Sequence, residues 1–289
     1  MSLDLLTFNV KLIPSYAKIF IEPHASPHGW WEREGWTDTE RIPQIIDALK
    51  RSSADVIVLQ ELYREDARAD VRAALETAGW TFTSPRLGND WLNEDSGLFV
   101  ASKLPVRDLA FIEFDAKAGE DALSDKGMVR VSLDVSDRFD FDTLVVVGAH
   151  LQSGYAHHAV RKRQLEQMAA LLSGEVADHC VAIGDFNVRG ETQSAGAWVR
   201  GWEHARMLAT LNARDLGARS GEPAYTWDAL TNQSMTHPDD DERVRLDYVL
   251  GLGARLVGTA HAEPFEVGGR HLSDHFGVRA HVVDDAMSG

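Results

Sequence analysis

The 289-residue sequence has one cysteine, no apolar run as long as a membrane-spanning helix, no low-complexity tract and no internal repeat. A lone cysteine excludes a disulfide within the chain, so nothing in the cysteine content indicates an oxidising compartment. The apolar surroundings of Cys180, HCVAIGD, predict a small core residue. The remaining composition, 44% hydrophobic and 26% charged, is that of an ordinary globular protein.

Basic residues are scarce relative to acidic ones. The chain has 29 lysines and arginines against 45 aspartates and glutamates, a formal net charge of −16. Nucleic-acid binders normally present a basic face, so this balance counts against a nucleic-acid partner unless basic residues cluster locally. A group of acids that holds a metal ion would contribute to the excess, and a solvated acidic surface would supply most of it.

No secretory leader is visible at the start of the sequence, which as written predicts a cytoplasmic protein. The first three residues, MSL, resemble an expression remnant. A secreted protein whose leader has been removed is therefore the alternative. We expect a monomer.

Hydrophobic periodicity predicts strands and helices that interleave along the chain without a linker, which indicates one domain over residues 1–289. Strands are predicted near 3–10, 55–61, 97–102, 109–114, 128–135, 143–150, 180–185, 246–250, 255–262 and 277–283. Helices are predicted at 40–51 with Thr39 as N-cap, at 66–78 and at 157–172, with a mainly helical stretch at 192–211 and an irregular segment at 11–38. The hairpin-like strand pairs favour an α/β protein of the α+β type, with two packed mixed β-sheets flanked by helices.

The stretch VAIGDFNVRG, residues 181–190, is an apolar run that ends in Asp185, Phe186 and Asn187. Residues i and i+2 of a strand point to the same side, so Asp185 and Asn187 project together from the carboxyl end of the strand. In α/β proteins this is the edge where sites form. A strand followed by an Asx-type turn explains this stretch equally well when it is considered alone.

The same feature recurs along the chain, because strand after strand ends on a polar residue that could bind a metal ion. These residues are Asn9, Glu61, His150, Asp185 with Asn187, Asp247, and Asp274 with His275. Each has an ordinary structural explanation as a turn, a surface acid or a hydrogen-bonded core histidine. Such an explanation must, however, hold by accident at every strand.

The ligand candidates are carboxylates and amides without a thiol cluster, which favours magnesium or manganese over structural zinc. A histidine beside carboxylates can act as a general base when another acid fixes its tautomer. Asp247 is the natural partner for His275 in this arrangement. A divalent ion, a base and amide or imidazole donors suit the attack of water on a phosphodiester.

In this order, the segments TFNV, LQE, GAHLQ, GDFN, LDYV and SDH resemble the endonuclease/exonuclease/phosphatase superfamily, over nearly the whole chain. SGLFVASKLPV, the Ser-x-Lys-Gly element of Ser124, Lys126 and Gly127, and the YTWDALTNQSMTH…RLDYVL run are similar to the neutral, magnesium-dependent sphingomyelinase branch. The resemblance implies a deoxyribonuclease I-like four-layer sandwich.

The resemblance also implies a role for each site residue. Glu61 would be the principal metal ligand, with Asn9, Asp185 and Asp274 nearby. His275 would activate the attacking water, held by Asp247. Asn187 and His150 would donate to phosphoryl oxygens, with Lys126 adding positive charge or ordering its loop. Arg161 and Gln164 match the RxxQ spacing of the branch, and we interpret them as structural.

The sequence departs from secreted bacterial sphingomyelinases, which carry an aromatic-tipped hairpin for membranes between the LDYV and SDH motifs. Here that interval holds one aromatic residue, Phe265. The tryptophans of GWWEREGW (29–36) could make a peripheral membrane contact instead, although such tryptophans more often pack over a core edge.

The sequence therefore predicts a metal-dependent phosphodiesterase of phospholipase C type that acts on sphingomyelin or a related phospholipid head-group diester. A nuclease or a hydrolase of soluble phosphate esters on the same fold is the closest alternative. A catalytically silent binding protein ranks last, because all the expected metal and base residues are present.

Overall fold

In a computed structural model of the chain, the structure describes residues 2–13, 37–88, 95–173, 179–194, 197–217, 225–232, 235–236, 240–253 and 255–285. The strands are β1 (Ser2–Leu12), β2 (Val56–Leu62), β3 (Phe82–Thr83), β4 (Phe99–Ser102), β5 (Val106–Glu113), β6 (Gly127–Asp134), β7 (Thr143–His150), β8 (Cys180–Asp185), β9 (Glu191–Ser194), β10 (Ala197–Arg200), β11 (Ala213–Asp215), β12 (Trp227–Asp228), β13 (Glu242–Val244), β14 (Asp247–Leu252), β15 (Leu256–Glu263), β16 (Glu266–Val267), β17 (Arg270–His271) and β18 (Gly277–Asp284). The helices are α1 (Asp38–Arg51), α2 (Glu65–Thr77), α3 (His158–Leu172) and α4 (Trp202–Leu211).

Two six-stranded mixed sheets dominate the described fold. One has the strand order β15-β18-β1-β2-β4-β3 and the other β11-β14-β8-β7-β6-β5. β1 and β2 are parallel in the first sheet, and β7 and β8 are parallel in the second. The remaining pairs of these sheets are antiparallel.

The sheets pack face to face over an apolar layer to which both contribute, including Val58 and Val100 from the first and Val129 and Val146 from the second. The outer face of the first sheet is covered by α1 and α2, through residues such as Ile45. The outer face of the second is covered by α3 and α4. The predicted four-layer sandwich is confirmed, while the single domain over 1–289 stays a prediction.

The predicted start of the first helix was wrong by two residues. Thr37, not Thr39, is the N-cap, since its hydroxyl accepts from the Glu40 backbone N–H while the Glu40 carboxylate accepts from the Thr37 N–H. This reciprocal pair is a capping box, and the sequence Thr-x-x-Glu encodes it.

The mainly helical prediction for 192–211 was also partly wrong. β9 and β10 precede α4, and β9 pairs with β13. The pairing partner lies about fifty residues further along the chain, so local periodicity could not reveal it. The predicted irregular segment falls mostly on residues outside those that the structure describes, among them Trp30, Trp31 and Trp36. Within the described chain, no helix is long and apolar enough to cross a membrane.

A short hairpin does lie between the LDYV and SDH motifs, formed by β16 and β17. Gly268 and Gly269 lie at its turn, both with positive φ. Phe265 is not at the tip, because its ring packs against Phe8 with the centroids 4.8 Å apart. The described hairpin therefore has no aromatic residue at its tip.

Candidate active site

The sheet register brings the predicted strand-end residues to one edge of the sandwich. His150, the last residue of β7, is paired with Asp185, the last residue of β8. Asp247 begins the antiparallel β14 directly opposite Asp185. In the other sheet, Asn9 lies beside Gln60, which precedes Glu61. Three neighbouring strands of one sheet and two of the other thus converge on a single centre.

Asn9 connects the two carboxylates at this centre. Its amide Nδ2 donates to Glu61 Oε1 at 2.9 Å and to Asp185 Oδ2 at 3.1 Å. Its Oδ1 accepts from the backbone N–H of Lys11 at 3.1 Å. In this arrangement Asn9 holds the two carboxylates, and its own oxygen is already bonded.

His150 is buried next to the carboxylates and contacts Lys126. Its Nε2 lies 3.8 Å from Glu61 Oε1 and 3.6 Å from Asp185 Oδ2. The Lys126 ammonium donates to the same Nε2 at 3.0 Å, and Lys126 also reaches Leu151 O and Asp121 Oδ1, each at 3.0 Å. With its Nε2 accepting, the imidazole is neutral and carries its proton on Nδ1. Nδ1 has no partner among the described residues.

Asp247 orients His275. His275 Nδ1 lies 2.8 Å from Asp247 Oδ2, and its Nε2 lies 3.9 Å from Asp185 Oδ2. The Thr226 hydroxyl donates to the same Oδ2 at 2.6 Å and accepts from the Asp247 backbone N–H at 3.1 Å. Two donors therefore fix one carboxylate oxygen, and the free ring nitrogen of His275 faces the centre.

Asn187 and Asp274 complete the set of predicted site residues. The Asn187 side chain donates to Leu151 O at 3.1 Å, and its backbone N–H donates to Asp185 Oδ1 at 2.9 Å. Asp274 pairs with Lys11, whose Nζ lies 2.8 Å from Oδ2.

Burial of several charges in one place shifts their pKa values. Burial, together with the nearby Asp247 carboxylate, raises the pKa of Asp185 to about 7. Burial and the Asp274 charge raise the pKa of Glu61. Unscreened negative charge of this kind attracts a cation.

The pKa values of the two histidines shift in opposite directions. Burial and the adjacent Lys126 ammonium lower the pKa of His150 well below its ordinary value, which keeps it neutral. Burial alone would lower the pKa of His275, but the Asp247 and Asp185 carboxylates raise it well above the ordinary value. Burial would raise the pKa of Asp274, and Lys11 with His275 lowers it instead. Strongly perturbed pairs of this kind are typical of active sites.

Within the described residues, two groups of side chains could hold a metal ion. One is Glu61, His150 and Asp185, and the other is Asp185, Asp247 and His275, with the candidate ligand atoms of each group within 4.8 Å of one another. The oxygen-rich first group fits a hard divalent cation. Asp247 and His275 already bond each other, so the second group is better suited to proton transfer.

The structure brings together every residue that the sequence predicted for the site. It adds Thr226, Lys11 and Asp121, to which the sequence gave no role. Both Thr226 and Lys11 lie in or next to motifs that the sequence analysis used: Thr226 is in the YTWDAL segment, and Lys11 stands two residues after Asn9.

Arg161 and Gln164 make the contacts of structural residues. Arg161 is fully buried, pairs with Glu203 and donates to Gln152 O at 2.9 Å. Gln164 Oε1 accepts from the backbone N–H of Gln152 at 2.9 Å. Both side chains therefore attach α3 to the segment that follows His150.

Two mixed sheets packed between helices, with histidines and carboxylates at one edge, define the deoxyribonuclease I-like class. Residues 6–275 match the Endonuclease/Exonuclease/phosphatase family, and the chain belongs to this family. The predicted superfamily and its sphingomyelinase branch are thereby confirmed, since sphingomyelinase C of Bacillus cereus is 29% identical over 255 residues, which cover 79% of this chain and 71% of that protein.

Two solved structures extend the similarity to the fold. Sphingomyelinase C from Streptomyces griseocarneus superposes with a TM-score of 0.71 at 26% identity, covering 97% of this chain and 99% of that one. A beta toxin variant from Staphylococcus aureus, solved with bound magnesium ions, gives a TM-score of 0.70 at 20% identity, with coverage of 97% and 99%. Family membership and these relatives support a phosphodiesterase hydrolase.

Proposed function

We propose that the chain is a magnesium- or manganese-dependent phosphodiesterase of phospholipase C type, which hydrolyses sphingomyelin or a related phospholipid head-group diester. The observation that carries this proposal is the oriented pair of His275 and Asp247 beside the carboxylates of Glu61 and Asp185. The sphingomyelinase relatives support the choice of substrate class.

Glu61 and Asp185 would hold the divalent ion, with Asn9 and Asp274 beside them. Their carboxylates fit because candidate ligand atoms of Glu61, Asp185 and His150 lie within 4.8 Å of one another, and both carboxylates accept from the same Asn9 amide. When bound, the ion supplies positive charge to the phosphoryl oxygens and the leaving oxygen.

His275 is the general base of the proposed reaction. Its Nδ1–H bonds Asp247, which leaves Nε2 toward the centre to take a proton from the attacking water. The water oxygen bonds to phosphorus while the bond to the lipid oxygen breaks, and the lipid oxygen leaves as an alcohol after taking a proton from solvent. Asp247 stabilises the imidazolium that forms, and its bond to Thr226 keeps it in place.

Lys126, His150 and Asn187 would bind the phosphoryl group. Lys126 donates to Nε2 of His150, so His150 becomes a donor through that atom only in the other tautomer, with its proton on Nε2 and Lys126 displaced. The two side chains together can follow the growth of charge on a phosphoryl oxygen, because either can supply the donor.

The test is phosphocholine release from sphingomyelin in mixed micelles, with magnesium and with a chelator. We expect magnesium-dependent release that falls about 100- to 10,000-fold in His275→Ala, the range for loss of a general base. His281→Ala is the matched control, because His281 lies half-exposed on β18 and pairs with Asp4. Release that persists in His275→Ala would contradict the assigned base.

A hydrolase of soluble phosphodiesters is the second candidate, and the glycine-tipped hairpin favours it. Gly268 and Gly269 offer no apolar side chain to a lipid surface. Cleavage of bis(p-nitrophenyl) phosphate without phosphocholine release would select this candidate. Salt-sensitive cleavage of DNA would select a nuclease.

A further inference from the structure

The ammonium of Lys11 contacts Asp274, a residue predicted to lie beside the metal ion. It therefore occupies a position where a metal ion could otherwise bind. Lys11 Nζ is 2.8 Å from Asp274 Oδ2, and the two side chains are only 14% and 15% exposed. Asp274 immediately precedes His275, and its charge is close enough to raise the pKa of Glu61. Lys11 is therefore a fixed positive charge at the edge of the carboxylate cluster.

The backbone around Lys11 is held in place, which distinguishes it from a solvated surface lysine. Lys11 has a left-handed backbone with φ of 48°, and its N–H donates to Asn9 Oδ1. Its carbonyl accepts from the buried guanidinium of Arg41 at 3.3 Å. Ser273 Oγ donates to Asn9 O at 2.6 Å and so attaches the segment with Asp274 to the same turn.

Lys11 compensates the carboxylate of Asp274, which leaves those of Glu61 and Asp185 for one divalent ion. Glu61, Asp185 and Asp274 carry three negative charges when ionised, as cation binding requires. Lys11 neutralises one and leaves two. Asp247 and Lys126 have partners of their own, since Asp247 accepts hydrogen bonds from His275 and Thr226, and Lys126 contacts Asp121. Without Lys11, Asp274 would present a buried and uncompensated carboxylate beside Glu61.

We propose that Lys11 limits this centre to one divalent ion by supplying at Asp274 the positive charge that a second ion would bring. This inference rests on the proposed function, because it takes Glu61 and Asp185 as the ligands of the first ion. Lys11 would thus set the number of bound metal ions by its contact with Asp274. The Coulomb attraction between the partly buried Lys11 and Asp274 is strong enough to compete with the binding of a second ion at Asp274.

The test counts manganese ions by electron paramagnetic resonance of free Mn²⁺, with metal-free full-length protein and no substrate. We expect one equivalent in the wild type and two in Lys11→Met. Lys11→Arg keeps the charge and should keep one equivalent. Lys162→Met removes an exposed lysine paired with Glu166 on α3 and should also keep one.

Two equivalents in the wild type overturn the inference and leave the proposed function standing. One equivalent in a Lys11→Met protein with wild-type circular dichroism overturns it as well. If Lys11→Met does not fold, Lys11→Gln takes its place, and we expect two equivalents of manganese in that variant and one in the wild type. No binding by the wild type removes the metal of the proposed function and this inference with it.

Discussion

At the scale of single residues, the arrangement of Thr226, Asp247 and His275 is the most sharply defined part of the site. Thr226 makes three hydrogen bonds to this segment, donating to Asp247 Oδ2 and accepting from the N–H groups of Leu246 and Asp247. Thr226 thus fixes the carboxylate that in turn fixes the base. We regard it as a positioning residue that does not touch the substrate.

Thr226→Val should lower kcat about 10- to 100-fold with little change in KM. The change removes all three hydrogen bonds of the hydroxyl without opening a cavity. The bond to the Asp247 carboxylate, a charged group, is worth about 1.5–3 kcal/mol. Thr226→Ser keeps the hydroxyl and should retain most of the activity. The measurement is steady-state kinetics on a soluble aryl phosphodiester, and equal kcat values for Val and Ser variants would contradict the role.

The sequence predicted the strand-end residues because each follows a recognisable apolar run, as Asp185 follows VAIG. It predicted Asp247 as the partner of His275, but not that Asp247 faces Asp185, because that placement arises through a strand register between segments about sixty residues apart. Thr226 and Lys11 were missed for the same reason. Their partners are distant in sequence, and neither residue type indicates such a role without that geometry.

At the scale of the elements, the parallel pair β7 and β8 places His150 beside Asp185. Gly184 precedes Asp185 and is paired with Ala149. Its φ is 145°, and a Cβ built on it would lie 2.1 Å from the carbonyl oxygen of Ala149. Only glycine allows the two backbones to approach this closely. The separation of the two functional side chains therefore depends on a missing methyl group.

Gly184→Ala should lower the free energy of unfolding by about 2 to 4 kcal/mol, since a backbone group must move to admit the methyl group. Gly268→Ala is the control, because Gly268 also has positive φ, at 60°, but no described atom lies within 4 Å of its built Cβ. It should lose only about 1 kcal/mol. Urea unfolding checks both values, and equal losses would show that close approach contributes nothing.

At the scale of the whole molecule, one buried arginine connects separate parts of the fold. Arg245 Nη2 lies 2.7 Å from Asp215 Oδ2 on β11, and its Nε lies 2.6 Å from Glu191 Oε2 on β9. His204 of α4 lies 2.8 Å from the same Asp215 oxygen. The large second sheet, the smaller sheet and α4 are therefore joined through Asp215 and Arg245.

This network should make the fold sensitive to acid. Burial alone would raise the pKa of Asp215, but the His204 hydrogen bond and the Arg245 guanidinium lower it from 3.8 to about 2. A lowered pKa in the folded state stabilises the fold above pH 4, and this stabilisation disappears as the pH falls from about 4 to 2. It amounts to roughly 2 kcal/mol.

Asp215→Asn should remove this contribution at pH 6 and change little near pH 2. The measurement is the free energy of unfolding as a function of pH for the wild type and the variant. If the unfolding free energies of the wild type and the variant fell in parallel between pH 6 and 2, Asp215 would not be the cause of the loss of stability in acid.

Three of the four non-glycine residues with positive φ in the described chain lie at the site: Lys11, Glu61 and Asn187. Each of these positions holds a backbone conformation that costs about 1–2 kcal/mol for a residue with a Cβ. Laboratory evolution for heat resistance, without a screen for catalysis, would therefore favour glycine at these three positions. The site would lose its functional side chains there first. A lineage that keeps Lys, Glu and Asn at these positions records selection for what the side chains do.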